Sequence, residues 1–177
     1  MNHTALWAPW RMAYLKGLDA KSDSSGDDAG NADQHFLQTY WDHPDQDESN
    51  YVIDRDEHGM VLLNRYPYAN GHLLVALGQP RPTLLDYDAE QRAAFWALID
   101  RAVDLVHRTL NPQGLNVGVN EGRAAGAGVP HHLHGHIVPR WSGDTNFISV
   151  VGDIRVIPDS LEAMAQRYRA AVAQRDA

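Results

Sequence analysis

The stretch His132-Leu133-His134-Gly135-His136-Ile137-Val138-Pro139-Arg140-Trp141 sets three histidines two residues apart. Residues two apart share a face of an extended strand, so the spacing predicts a strand over His132–Pro139 with all three imidazoles on one side. Imidazole changes charge near neutral pH and suits both nucleophilic and proton-transfer work. The face is therefore a candidate active site. A lone histidine is ordinarily a polar residue open to solvent. A metal site is the other rival, because His-x-His on a strand with a distant third histidine suits zinc, and His72 is available for that place. No aspartate or glutamate stands beside the triad to act as base or to orient a ligand.

Immediately before it runs Asn120-Glu121-Gly122-Arg123-Ala124-Ala125-Gly126-Ala127-Gly128-Val129-Pro130. Small residues let backbone N–H groups approach an anion, so the loop is a candidate phosphate cradle as well as a plain flexible connection. The Gly-Lys-Ser/Thr ending of a P-loop is missing, which excludes an ATPase loop of that kind. Further strands are expected at Tyr51–Asp54, Met60–Asn64, His72–Leu77 and Leu115–Asn120, with turns at Asp56–Gly59 and Asn70-Gly71. Asp88–Leu110 carries apolar residues at helical spacing, with Asp88 and Gln91 as a capping box and Asn111-Pro112 as the stop. A closing helix is expected over 159–173, capped by Asp159 with Glu162. The acidic run Asp42–Asn50 reads as a solvated connection, and 19–33 as a mobile insert of Asp, Ser, Gly, Ala and Asn. The aromatic segment Leu6–Leu15 is too short to fold alone. It is expected to pack on the domain or on a partner subunit. This order predicts one α+β domain over 1–177 with an antiparallel sheet.

Composition narrows the function. With 177 residues, 44% apolar and 21% charged, the chain has the make-up of a globular protein with a real core. A net charge of −8 argues against general nucleic-acid binding. The absence of cysteine excludes disulfides, thiolate metal sites and thiol nucleophiles. The only lysines are Lys16 and Lys21, so no lysine clamps a phosphate further along. No apolar run reaches membrane-spanning length and no signal peptide is visible, so a cytoplasmic location away from membranes is expected.

The run His132–Val138 resembles the His-φ-His-φ-His-φ-φ signature of the histidine triad (HIT) superfamily. Asn64, Gly71-His72 and Asn120 fall at its nucleotide contacts. Trp7–Leu15, Leu63–Tyr68, Gly143–Phe147 and Val156–Pro158 are similar to the branch of bacterial diadenosine tetraphosphate phosphorylases. The resemblance implies a HIT-like fold with a five-stranded antiparallel sheet, a central helix and a C-terminal helix. It implies a homodimer with joined sheets and a nucleotide substrate, preferably a dinucleoside polyphosphate. His134 would attack the α-phosphorus to form a nucleotidyl-histidine. His132 and His136 would hold phosphoryl oxygens and assist the leaving group, and His72 would orient the nucleophile from behind. Asn64 would bind ribose, while Asn120 and the amides near Gly128 and Val129 would meet phosphates. A nucleoside phosphoramidase, a non-catalytic nucleotide-binding module and a three-histidine metal protein stand as alternatives.

Two positions depart from the pattern. Gly135 stands where a bulky apolar residue is expected, leaving a gap for a neighbouring aromatic to fill. The zinc pair of bacterial relatives falls at His35–Gln38, and its later ligand at Arg81-Pro82. Structural zinc is therefore expected to be lost and no cofactor required. His35, His43 and His131 are expected to be surface histidines, and Arg140 to meet a distal phosphate or pair with a carboxylate.

Overall fold

The computed structural model of the chain describes residues 36–144 and 156–175. The chain divides into Met1–Ala32 and Asp33–Ala177, and every element below lies in the second unit. The aromatic segment Leu6–Leu15, the whole of the 19–33 insert, His35 and Thr145-Asn146-Phe147 lie outside the described residues.

Five strands form one sheet: β1 (Val52–Arg55), β2 (Gly59–Leu63), β3 (Leu73–Leu77), β4 (Gly114–Val119) and β5 (His134–Arg140). Their order is β1-β2-β3-β5-β4 and every pair is antiparallel. The long helix α2 (Ala89–Leu110) starts at the expected cap: the Asp88 carboxylate accepts from the Gln91 amide and the Gln91 side chain accepts in return. Asn111 ends it in the left-handed conformation, φ 44°. A short helix α1 (Phe36–Asp42) precedes the sheet and α3 (Leu161–Arg175) follows it.

Both sheet faces are covered, which explains why β2 and β3 read as unbroken apolar runs rather than alternating ones. On one face Val61, Leu63, Val75, Leu133 and Ile137 pack against Phe95, Leu98, Ile99 and Ala102 of α2 and Met164 and Tyr168 of α3. On the other, Val52, Met60, Leu62, Leu74 and Ala76 pack with Leu37 of α1 and Val129. The gap at Gly135 is filled from α2: a Cβ there would stand 3.1 Å from Ile99 Cδ1 and 3.3 Å from Phe95 Cζ. An aromatic does occupy the missing side chain's place, together with an isoleucine.

Gly71 ends the loop before β3 at φ +76°, a conformation suited to glycine. Tyr168 of α3 donates to its carbonyl at 2.7 Å, so the C-terminal helix anchors the loop that delivers His72.

Two sequence expectations need correction. The run Asp42–Asn50 is structured in part: it holds a 3-10 turn at Pro44–Gln46, Asp47 pairs with Arg55, and Asn50 is buried. The closing helix begins one residue later than expected for an Asp159 cap. The Ser160 hydroxyl accepts from the Ala163 amide, while Asp159 accepts from the Ser160 amide.

Candidate active site

Strand alternation sorts the side chains of β5. Leu133, Gly135 and Ile137 face α2, and His134 and His136 face the α1 side, paired in register with Ala76 and Leu74. There they meet a cavity of about 370 Å³, within the range of small-molecule sites. Its apolar wall includes Phe36, Tyr40, Leu62 and Leu74, and its rim includes Asn64, Tyr66 and Tyr68. Gly126, Gly128 and Val129 supply the loop side.

Hydrogen-bond partners decide which nitrogen of each imidazole carries hydrogen. His134 Nδ1 lies 2.9 Å from the His132 carbonyl oxygen. A carbonyl only accepts, so Nδ1 is the donor and Nε2 keeps the lone pair. Burial lowers the His134 pKa below 6.5, while the backbone hydrogen bond opposes the shift; the ring is neutral at neutral pH. This is the protonation state a nucleophile needs.

The second imidazole is set by a longer chain of contacts. The Asn64 Oδ1 accepts from the Tyr66 amide at 2.9 Å, which turns Asn64 Nδ2 toward His72 Nδ1 at 3.2 Å. The Tyr68 amide also donates to His72 Nδ1, at 3.1 Å. With two donors on Nδ1, His72 carries its hydrogen on Nε2 and donates to His136 Nδ1 at 3.0 Å. Neutral His136 must then carry its own hydrogen on Nε2. That atom is buried and finds no hydrogen-bond partner among the described residues. Desolvation, reinforced by the nearby His134, pushes the His136 pKa down to about 4, so the ring is a neutral donor. A lone pair on His134 and an unanswered N–H on His136 thus meet at one cavity, with ring centres 5.0 Å apart.

Three sequence expectations change. His132 does not line the cavity: it is buried, and its Nε2 donates to the Leu77 carbonyl at 2.7 Å. It contacts the site through its own carbonyl, which orients His134. His72 holds His136 rather than His134, because the Gly71 turn delivers it beside the strand position opposite Leu74. Asn120 lies just beyond β4 and outside the cavity wall, whereas Gly128 and Val129 do line it. Asn64 lines the cavity too, but both of its polar atoms are engaged in setting His72.

His131, His43 and Arg140 stand as expected. His131 is exposed, and exposed His43 meets the Thr39 carbonyl. Arg140 pairs with Asp144 through two hydrogen bonds, 2.6 and 2.8 Å, and so takes the carboxylate. Among the described residues no three histidine, aspartate or glutamate side chains converge on a metal position. Sequence reasoning missed Phe36, Tyr40, Tyr66 and Tyr68 as cavity residues. The run Tyr66-Pro67-Tyr68 offered the only local signal, an aromatic pair in a turn.

The HIT domain family profile matches residues 45–143. The chain is 36% identical to the AP-4-A phosphorylase of Mycobacterium tuberculosis over 157 residues, 88% of this chain and 77% of that one. Among solved structures it resembles a Zn-bound histidine triad family protein from Mycobacterium smegmatis, with TM-score 0.62 and 30% identity. That match covers 78% of this chain and 94% of the other. A hypothetical histidine triad nucleotide-binding protein from Sulfolobus tokodaii matches with TM-score 0.62 and 25% identity, over 77% of this chain and 92% of the other.

Proposed function

The chain belongs to the HIT domain family, and from that premise we propose that it is a nucleotidyl-transferring enzyme acting on dinucleoside polyphosphates, with diadenosine tetraphosphate the preferred substrate. The observation that carries this reading is the pairing of opposite hydrogen-bonding states at one cavity. His134 presents a neutral Nε2 lone pair, and His136 presents a buried Nε2–H that lacks a partner among the described residues.

In the first step His134 Nε2 attacks the α-phosphorus. The N–P bond forms as the P–O bond to the bridging oxygen breaks, and the remaining nucleoside polyphosphate departs with the bonding electrons. His136 donates its hydrogen bond to an oxygen of the phosphoryl group, where negative charge accumulates. A preorganised donor of this kind is worth roughly two to three orders of magnitude in rate. The Gly126–Val129 side of the cavity supports further phosphate oxygens. In the second step inorganic phosphate or water takes the nucleotidyl group from His134 and frees the ring.

The chemistry as read requires no metal or other cofactor. We further assign the active form to a homodimer in the cytoplasm. In support of the dimer, β4 stands at the edge of the described strands and its Val117 is 43% exposed. No helix among the described residues is long and apolar enough to cross a membrane.

Purified protein incubated with diadenosine tetraphosphate tests the reading. Phosphorolysis yields ADP and ATP only when phosphate is present; hydrolysis yields AMP and ATP. EDTA leaves the rate unchanged, and His134→Ala lowers it by on the order of 10³-fold or more while the fold persists. Normal turnover in that variant refutes the nucleophile assignment.

A further inference from the structure

Tyr68 stands in the loop between β2 and β3, and the reaction as described gives its side chain no part. Its contacts are unusual for a residue 49% exposed. Its ring centre lies 4.7 Å from that of His72 at an interplanar angle of 38°. It lies 5.7 Å from that of His136 at 20°, a stacked arrangement. The same residue's amide donates to His72 Nδ1. Tyr68 therefore touches both partners of the single hydrogen bond that decides where His136 carries its hydrogen.

We propose that Tyr68 is a positioning residue whose amide and ring together hold the His72–His136 pair in the arrangement that presents the His136 Nε2–H to the cavity.

Partners, rather than the ring itself, select between the tautomers of a neutral imidazole. The Tyr68 amide and Asn64 Nδ2 together make the selection at His72, which passes it to His136 through the 3.0 Å contact. That contact holds only while the two rings keep their mutual tilt of 42° at 5.2 Å. The tyrosine ring covers both imidazoles at once and so opposes rotation of either. Its stacked geometry against His136 is a favoured one for aromatic rings. The hydroxyl has no role in this device, so phenylalanine serves as well as tyrosine.

The kinetic consequence rests on the dinucleoside polyphosphate reading, but the tautomer consequence does not and is measured on free protein. Long-range nitrogen–proton NMR of the imidazoles in the unmodified chain is expected to show His72 and His136 each as a single Nε2–H tautomer. In Tyr68→Ala the His136 nitrogens move toward tautomer-averaged values. With diadenosine tetraphosphate the same variant loses about ten- to hundredfold in kcat, with KM changed by less than about threefold. Tyr68→Phe restores both readouts, and Tyr68→Leu, which keeps bulk without the flat ring, falls between. Thermal melting and the backbone spectrum of each variant separate these effects from unfolding. Unchanged imidazole shifts in folded Tyr68→Ala or Tyr68→Leu overturn the proposal. So does a rise in KM with kcat intact, which makes Tyr68 a substrate contact. If instead the imidazole shifts behave as expected and no dinucleotide is turned over, the reaction assignment fails and the positioning role stands.

Discussion

At His134 and His136, the same physical cause, loss of water around an imidazole, gives two different chemical roles. His134 spends its hydrogen on a backbone carbonyl and keeps a lone pair; His136 spends its lone pair on His72 and keeps a hydrogen. Acid removes the first role. Because burial depresses the His134 pKa, kcat/KM should be level across neutral pH and fall only below 6.5, as the proposed nucleophile protonates. An acid limb at or above 6.5 in the rate profile contradicts that ordering. Stability should follow the same sign. Between 6.5 and about 4 the unfolded chain holds a proton at residue 136 that the folded chain refuses. The contribution of this site is therefore complete at neutral pH and is lost as pH falls through that window. Melting temperatures of the unmodified protein and His136→Gln should diverge at neutral pH and converge toward pH 4, since glutamine has no such proton to take up.

Elements place these residues through packing that no single strand specifies. The strand β5 carries His134 and His136 on one face by alternation, and Gly135 lets α2 pack closely against the other. Phe95 and Ile99 occupy the volume that a larger residue would take. Gly135→Leu forces four carbons into that contact and should destabilise the fold by about 1–3 kcal/mol. Combining it with Ile99→Ala should return part of the loss, a coupling visible as non-additive midpoints in denaturant melts. Additive midpoints mean that the helix face is not where the glycine gap is filled. The loop before β3 shows the same dependence on a distant element. The Tyr168 hydroxyl on α3 holds the Gly71 carbonyl, one residue before the histidine that sets His136.

For the whole molecule, the two sheet faces divide the labour: α2 and α3 stabilise one, and the cavity opens on the other. The outer edge of β4, which no described strand pairs, belongs to this scale, because such an edge invites a second copy of the chain. Val117→Arg should shift the species seen by sedimentation toward monomer if the homodimer reading is correct, and an unchanged sedimentation coefficient counts against it. Much of this architecture was legible in the sequence. Alternation in His132–Pro139, helical spacing with the Asp88–Gln91 cap, and the Asn-Gly turn are local patterns written by backbone geometry, and they located five strands and two of the helices. The alternation likewise put His134 and His136 on one face of that strand. Helix α1, the Arg55–Asp47 pair and the aromatic cavity wall escaped notice, because short helices and sparse polar contacts have no periodic signature. Which histidine partners which also lay beyond the sequence. His132 and His72 are separated along the chain from the groups they hold, Leu77 and His136, and only the register of β3 against β5 brings them within hydrogen-bond reach. The sequence by itself determined that imidazoles would gather on a strand beside a glycine-rich loop. Tertiary structure alone decided which nitrogen of each would hold a hydrogen, since a tautomer is fixed by its partners and those partners come from other strands and turns.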